Sequence, residues 1–274
     1  MKKFVYKCFV ATVDYLVNLF PFWLVGDELM MALKKRVVIV KHEDQDLFFY
    51  CPTRITNLRA KTFSIKEPLT LKWIDGLSPG SVLWDIGANI GLYSIYAAKF
   101  KGIKVISFEP SVFNLELLVR NINLNLVSDL VSVIPLPLYK LTEIKYILLS
   151  SENIGAALNT FGEIYGQDGN DLLGVIKYNV LGLSADDLLI KLGINPPTNL
   201  KIDVDGIEHL VLAGATKLLE SVQSVLVEVN DSFDDQAKGV SRILSLSGFY
   251  LHEKQKFGGE TEVGKHSNQL WLRG

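Results

Sequence analysis

Two runs of this chain carry side chains whose types and spacing could do chemistry. The first is Asp85-Ile86-Gly87-Ala88-Asn89-Ile90-Gly91, answered by Phe108-Glu109-Pro110. The second is Lys201-Ile202-Asp203-Val204-Asp205-Gly206-Ile207-Glu208, answered by Glu228. In the first run Gly87 and Gly91 lack a Cβ, so the chain can turn sharply there and its backbone can approach a ligand. An acid about twenty residues beyond such a turn, at the end of the next strand, is placed to accept hydrogen bonds from ribose hydroxyls. Glu109 is that acid. The glycines follow Gly-x-x-x-Gly, whereas a dinucleotide site uses Gly-x-Gly-x-x-Gly to free amides for a pyrophosphate. Asp85, just before the turn, would repel a pyrophosphate and attract a sulfonium or ammonium cation. Asp85, Gly87, Ala88, Asn89, Gly91, Glu109 and Pro110 are therefore assigned to a nucleoside cofactor. Charge favours S-adenosylmethionine over a nicotinamide dinucleotide.

In the second run Asp203, Asp205 and Glu208 gather at a strand end, the edge where open α/β sheets bind ligands. Acids so crowded are costly unless they meet hydroxyls, a cation or a lysine. Lys201 is the internal partner. Asp203 and Asp205 are candidates to orient an acceptor hydroxyl and take its proton, with Lys201 and Glu228 completing the catalytic set. Asp205 and Glu208 have a second reading as acids that favour a helix N-terminus. A divalent ion on Asp203, Asp205 and Glu228 suits the oxygen donors but is the less favoured reading, and no metal site is assigned. His209, His252 and His266 lack metal-ligand spacing.

These residues need strands and helices to position them. Apolar runs at 81–86, 104–108 and 131–136 read as strands, with helices expected over 92–100 and 113–125. Segments 144–149 and 156–160 suggest an inserted hairpin. Ser184 caps a helix over 185–192, with Asp187 at its third position. A strand at 200–204, a helix at 207–219, a strand at 223–229 and late strands at 248–253 and 269–272 complete the series. Alternating strands and helices indicate a Rossmann-like α/β sheet with helices on both faces. Loops at 150–171 and 254–268, the latter with Gly258, Gly259 and Gly264, are expected near the site.

The N-terminal part differs. Residues 4–20 are strongly apolar, and Lys3, Lys7, Asp14 and Asn18 fall in one narrow sector of a helix. Pro21 ends it, and a second helix is expected over 24–35, closing on Lys34-Lys35-Arg36. A hairpin at 37–40 and 47–50 turns through Glu43-Asp44-Gln45-Asp46, and 69–77 reads as a helix. A transmembrane span would place Asp14 mid-bilayer at a cost of roughly 2.5–3.5 kcal/mol. A signal peptide is interrupted by Lys7 and Asp14. The first helix is thus expected to pack on protein or to lie on a membrane surface. The division expected is an extension over 1–64 and a catalytic domain over 65–274. A net charge of −2 excludes nucleic acid as the main partner. Two isolated thiols, Cys8 and Cys51, indicate a reducing, cytoplasmic setting with the membrane surface as the alternative.

The ordered set DIGANIG at 85–91, FEP at 108–110, Asn121 and Asn125, KIDVDGIEH at 201–209 and VEVN at 227–230 resembles the FkbM-type methyltransferases. Glu67-Pro68 resembles the lead-in of the same family. The resemblance covers roughly 65–274 and departs at Asp205, where Glu is common. It implies a seven-stranded, mostly parallel sheet with the last strand antiparallel, S-adenosylmethionine as cofactor, and methylation of a hydroxyl on a sugar, glycan or natural product. The alternatives are a nicotinamide-dependent oxidoreductase and a non-catalytic nucleoside-binding module.

Overall fold

A computed structural model describes residues 2–18, 22–42, 45–257 and 266–274. Two helices come first, α1 (Lys2–Val17) and α2 (Phe22–Lys34), then the hairpin β1 (Val37–His42) and β2 (Gln45–Tyr50). Helices α3 (Arg54–Lys66) and α4 (Pro68–Asp75) lead to β3 (Val82–Ile86), α5 (Leu92–Lys101), β4 (Lys104–Phe108), α6 (Val112–Leu124) and β5 (Val131–Ile134). An inserted group follows: β6 (Glu143–Leu149), β7 (Thr160–Phe161) and β8 (Ile176–Gly182). The chain closes with α7 (Ala185–Leu192), β9 (Asn199–Ile202), α8 (Glu208–Ala213), β10 (Ser224–Asn230), α9 (Asp234–Leu246), β11 (Phe249–Phe257) and β12 (His266–Arg273).

Among the described residues, seven strands form the central sheet in the order β11-β12-β10-β9-β3-β4-β5. β12 runs antiparallel to both its neighbours, while β10, β9, β3, β4 and β5 are parallel. Sequence order reverses at β3, which lies between β4 and β9, so the crevice beyond its carboxyl end is the expected ligand site. Successive side chains of these strands feed opposite faces. Leu83 joins a core with Phe63, Ile95, Tyr96 and Leu118 on one side. Trp84 and Ile86 join Leu200, Ile202, Val211 and Leu244 on the other. The sheet β7-β6-β8 sits over a smaller cluster of Tyr139, Ile147, Leu149, Phe161 and Ile207.

Register is what aligns the chemistry. Asp85 lies opposite Lys201 of β9 on one side and Ser107 of β4 on the other. Ser94 of α5 closes this buried row, donating to Asp85 Oδ2 at 2.6 Å and accepting from Ser107 Oγ at 2.8 Å.

Several expectations needed correction. The helix expected at 207–219 ends at Ala213, where Gly214 packs so closely on the Tyr139 carbonyl oxygen that a Cβ would stand 2.2 Å from it; the chain resumes as a 3-10 turn at Leu218–Ser221. The expected strand at 156–160 survives only at Thr160, and β6 pairs chiefly with β8. Helices α3 and α9 were not foreseen. α3 is fixed by a capping box, Thr53 accepting from Thr56 N and Thr56 Oγ1 accepting from Thr53 N, rather than by an apolar stripe. It also runs across residues 64 and 65, and Ala60 and Phe63 share the core of β3 and α5. The turn residues Glu43 and Asp44, Pro21, and Gly258, Gly259 and Gly264 lie outside the described residues.

The glycine turn is dictated by backbone packing. Gly87 has φ +91°, and a Cβ there would sit 1.8 Å from the Asp203 carbonyl oxygen. Gly91 has φ +89° and would drive a Cβ to 2.7 Å from Leu118 Cδ1. The two glycines therefore let the turn pack against the end of β9 and against α6. Gly87→Ala combines a strained φ with a backbone clash, and it is expected to cost more than about 3 kcal/mol of stability. Urea unfolding of the purified variant checks this; a loss below about 1 kcal/mol would contradict it.

Candidate active site

The two acidic runs meet where β3 and β9 end. Lys201, 3% exposed, lies between them. Its Nζ is 3.0 Å from Asp203 Oδ2 and 3.8 Å from Asp85 Oδ1, and it stands 5.1 Å from the centroid of the Tyr93 ring. Burial alone would lower a lysine pKa, but Asp203, Asp85 and Glu67 together hold Lys201 well above its ordinary value. Asp85 is itself buried, which raises its pKa against the pull of Lys201 and Ser94. Its Oδ1 has no hydrogen-bond partner. Asp85 thus supports Lys201 from beneath the turn.

Asn89 takes a left-handed conformation, φ +51°. Its amide donates to Glu109 Oε2 at 2.8 Å, and Ser111 N donates to Glu109 Oε1 at 2.7 Å. Both carboxylate oxygens are oriented by backbone, while burial pushes the Glu109 pKa up to about 7. Gly87, Asn89, Glu109 and Pro110 line a cleft of about 690 Å³, counting its open mouth. The far end is apolar, formed by Leu136, Leu138, Ile147, Phe161 and Val204. Thr160 also lines this cleft, and its Oγ1 is buried with no hydrogen-bond partner. Ala88 and Gly91 lie outside this lining; Ala88 borders an adjoining recess with Glu67, Tyr93, Lys201 and Asp203.

A second, more open cleft shares Arg59, Asp203 and Asp205 with the first. It adds Lys66, Glu228, Gln167, Lys256 and His266. Glu228 follows Val227, whose register partner is Ile202, so its carboxyl comes beside Asp203. Two carboxylates this close cannot both ionise cheaply. Lys201 and Lys66 keep Asp203 charged, at about 2, while burial and the Asp203 charge hold Glu228 well above the carboxylate range. One proton therefore rests on Glu228, facing the Asp203 carboxylate. His266 Nδ1 is 3.7 Å from Glu228 Oε1.

Asp205 has φ +58°, a conformation rare for a residue with a side chain. Its Oδ2 accepts from Leu158 N at 2.7 Å and Asn159 N at 3.3 Å. Those amides end a strap over both clefts that is fastened at successive residues. Thr53 Oγ1 donates to Ile154 O at 3.1 Å, Arg59 Nε to Gly155 O at 2.7 Å, and Asn89 Nδ2 to Ala156 O at 2.9 Å. Asn114 accepts from Gly155 N at 2.9 Å. Burial and the nearby Asp203 push Asp205 up to about 6. Glu208 is engaged elsewhere, accepting from Val204 N, Gly206 N and Gln236. His209 packs against Phe233.

The sequence reading brought together Asp85, Glu109, Lys201, Asp203, Asp205 and Glu228 but missed Glu67, Arg59, Lys66, Thr160 and Asn114 as site residues. Glu67 is 3% exposed and accepts from Thr70 Oγ1 and Asn268 Nδ2. The Glu67-Pro68 pair was the only signal for it. Arg59 and Lys66 lie on the unforeseen α3, and Thr160 on a two-residue strand. Among the described residues no group of three or more His, Cys, Asp or Glu side chains is arranged to hold a metal ion.

A family model described as the methyltransferase FkbM domain matches residues 85–256. The hexuronic acid methyltransferase AglP of Haloferax volcanii is 29% identical over 164 residues, 60% of this chain and 61% of AglP. The chain thus spans less than two thirds of that relative's length. In fold it is similar to a Pyrococcus horikoshii protein described as a transferase, with a TM-score of 0.51 and 13% identity over 86% of this chain and 72% of that one.

The buried acids generate a pH dependence of stability. Glu109 and Glu208 at about 7 and Asp205 at about 6 bind protons more readily folded than unfolded. Their contribution is full below the ordinary carboxylate pKa and is lost as pH rises through 6–7. Asp203 acts oppositely, but only near pH 2 to 4. The ligand-free protein is therefore expected to melt at a higher temperature at pH 5.5 than at pH 8, as followed by circular dichroism. A lower midpoint at pH 5.5 would contradict these assignments.

Proposed function

The chain belongs to the FkbM methyltransferase family, and from that premise we propose that it transfers a methyl group from S-adenosylmethionine to a hydroxyl of a sugar, with an acidic sugar as the preferred class. The observation that carries this reading is the pair of adjoining clefts with a common wall of Arg59, Asp203 and Asp205. One is closed and apolar at its end, as a nucleoside requires. The other is open and polar, as a glycan requires.

The residues present fit the cofactor. Glu109 keeps lone pairs for two ribose hydroxyls after accepting one amide on each oxygen. The slot between Leu136, Leu138, Phe161 and Val204 suits a flat purine, and the unpartnered Thr160 Oγ1 offers its edge a hydrogen bond. Glu67 and Asp203 line the recess beside the glycine turn together with Arg59, Lys66 and Lys201, while Asp85 lies buried against Lys201 with its Oδ1 unpartnered. In this reading Glu67 and Asp203 face the cationic end of the cofactor. No metal is needed for these roles.

When bound, S-adenosylmethionine supplies a methyl group already activated for displacement. The protein's task is then alignment and exclusion of water, worth up to roughly 7–11 kcal/mol. Asp203 is placed in this reading to accept a hydrogen bond from the acceptor hydroxyl. Held near 2, it is a weak base, so the hydroxyl proton leaves with or after the methyl transfer. Asp205, at about 6, is the better proton acceptor of the two. Lys201 fixes Asp203, and Glu228 holds its proton against it. Arg59, Lys256 and Lys66, which also pairs with Glu67 at 3.3 Å, present positive charge to a sugar carboxylate in the second cleft. AglP, by its name, acts on a hexuronic acid.

Incubation with methyl-labelled S-adenosylmethionine and a panel of uronic acid and neutral glycosides tests the proposal. Label is expected in the uronic acids first; label in no sugar would overturn it. Glu109→Ala removes charge-assisted bonds worth about 1.5–3 kcal/mol, so cofactor affinity is expected to fall by one to two orders of magnitude in a calorimetric titration. Asp203→Asn is expected to bind the cofactor with near-normal affinity yet lose at least about a hundredfold in turnover. Full turnover in that variant would remove Asp203 from the reaction.

A further inference from the structure

Exposed apolar side chains occur elsewhere in this protein, Leu126 and Leu173 among them, but the first two helices expose theirs along most of their length. Every described side chain from Phe4 to Leu16 of α1 is exposed, with Phe4 at 71% and Phe9 at 65%. On α2, Val25, Leu29, Met30 and Leu33 are likewise exposed, Leu29 at 60%. The charged Lys7 and Asp14 cannot shield α1, because both lie in one narrow sector. Contiguous apolar surface of this kind marks an interaction site. The expectation that α1 packs on its own domain is not met in this arrangement.

Charge decides which partner fits. Residues 1–41 hold seven Lys or Arg against three Asp or Glu, whereas the rest of the chain holds 21 against 27. Lys7, Lys35, Arg36 and Lys41 are exposed within that basic segment. A second copy meeting this surface across a two-fold axis would set the positive segment against itself. An anionic lipid surface meets the apolar faces and the basic residues together. Length sets the mode of binding. The 16 residues of α1 extend about 24 Å at 1.5 Å per residue, short of a hydrocarbon core of about 30 Å. Among the described residues no helix is long and apolar enough to cross a membrane. We propose that α1 and α2 form a peripheral anchor that lies in the interface of a bilayer rich in anionic lipid. The anchor is joined to the catalytic body: Lys34 pairs with Glu116 at 3.1 Å, and Arg120 Nη2 donates to the Lys34 carbonyl at 2.9 Å.

Sedimentation of the full chain with sonicated vesicles tests the proposal. The vesicles are phosphatidylcholine alone, or phosphatidylcholine with one third phosphatidylglycerol. Binding is expected to be at least about tenfold stronger to the anionic vesicles and to weaken at 0.5 M salt, because salt screens the attraction of basic residues to such a surface. The triple substitution Phe4→Ser, Phe9→Ser, Leu29→Ser touches only exposed side chains and is expected to abolish pelleting while leaving the melting temperature unchanged. Three results would overturn the proposal. One is a full chain that stays in the supernatant with both vesicles. Another is a dimer that ignores vesicles and dissociates in the triple variant, which would assign the surface to a second copy. The third is equal binding to both vesicle types, unaffected by salt.

Discussion

A lysine ammonium enclosed among carboxylates holds this site together. Taking Lys201 out of water costs several kcal/mol, recovered only where opposite charges and hydrogen bonds are well placed. Asp85 and Asp203 supply them from β3 and from the end of β9, and Glu67 adds its charge from the start of α4. The lysine is thus the electrostatic centre through which a glycine turn and an acidic strand end, more than a hundred residues apart in sequence, become one site. Its role is to keep Asp203 ionised and oriented while neighbouring Glu228 retains a proton.

Backbone packing supplies the second constraint. Gly87 lets the turn come against the Asp203 carbonyl, and Asp203 N in turn donates to Ile86 O at 3.0 Å. The turn and Asp203 are therefore packed as one piece. Over them runs the strap of residues 154–159, tied to α3, to Asn89, to Asn114 and to Asp205. Asn89 links these layers directly, giving its backbone amide to Glu109 and its side chain to the strap. Glu109 is thus connected through Asn89 to the strap, and the strap through Asp205 to the second cleft. Pre-arranged hydrogen bonds of this sort hold reacting groups in line without further ordering cost.

Much of this arrangement was legible in the sequence, for identifiable reasons. Strands β3, β4 and β10 are short buried apolar runs, and turn chemistry bounds them. The acids could be grouped because their spacing puts them at the ends of strands that the sheet sets side by side. What escaped was set by tertiary contact. Gly214 reads as an ordinary helical residue until the Tyr139 carbonyl is found against it. α3 has polar residues on most of its surface, and its capping box of Thr53 and Thr56 lacks the usual acid. Missing α3 meant missing Arg59 and Lys66. Asp205 read as a second catalytic acid, and the structure adds a task that no spacing reveals, the holding of two amides 46 and 47 residues upstream. Gly87 read as room for a ligand; it does line the cleft, and the place a Cβ would take is filled by the protein's own backbone.

The central claim is that the clefts lined by Glu109, Glu67 and Asp203 take S-adenosylmethionine and not a nicotinamide dinucleotide. Isothermal titration of the wild-type protein with S-adenosylmethionine, and separately with NADH, tests it most directly. Saturable one-to-one heat with the sulfonium and none with the dinucleotide, each at up to millimolar ligand, is the expected result. Saturable heat with NADH and none with S-adenosylmethionine would contradict it.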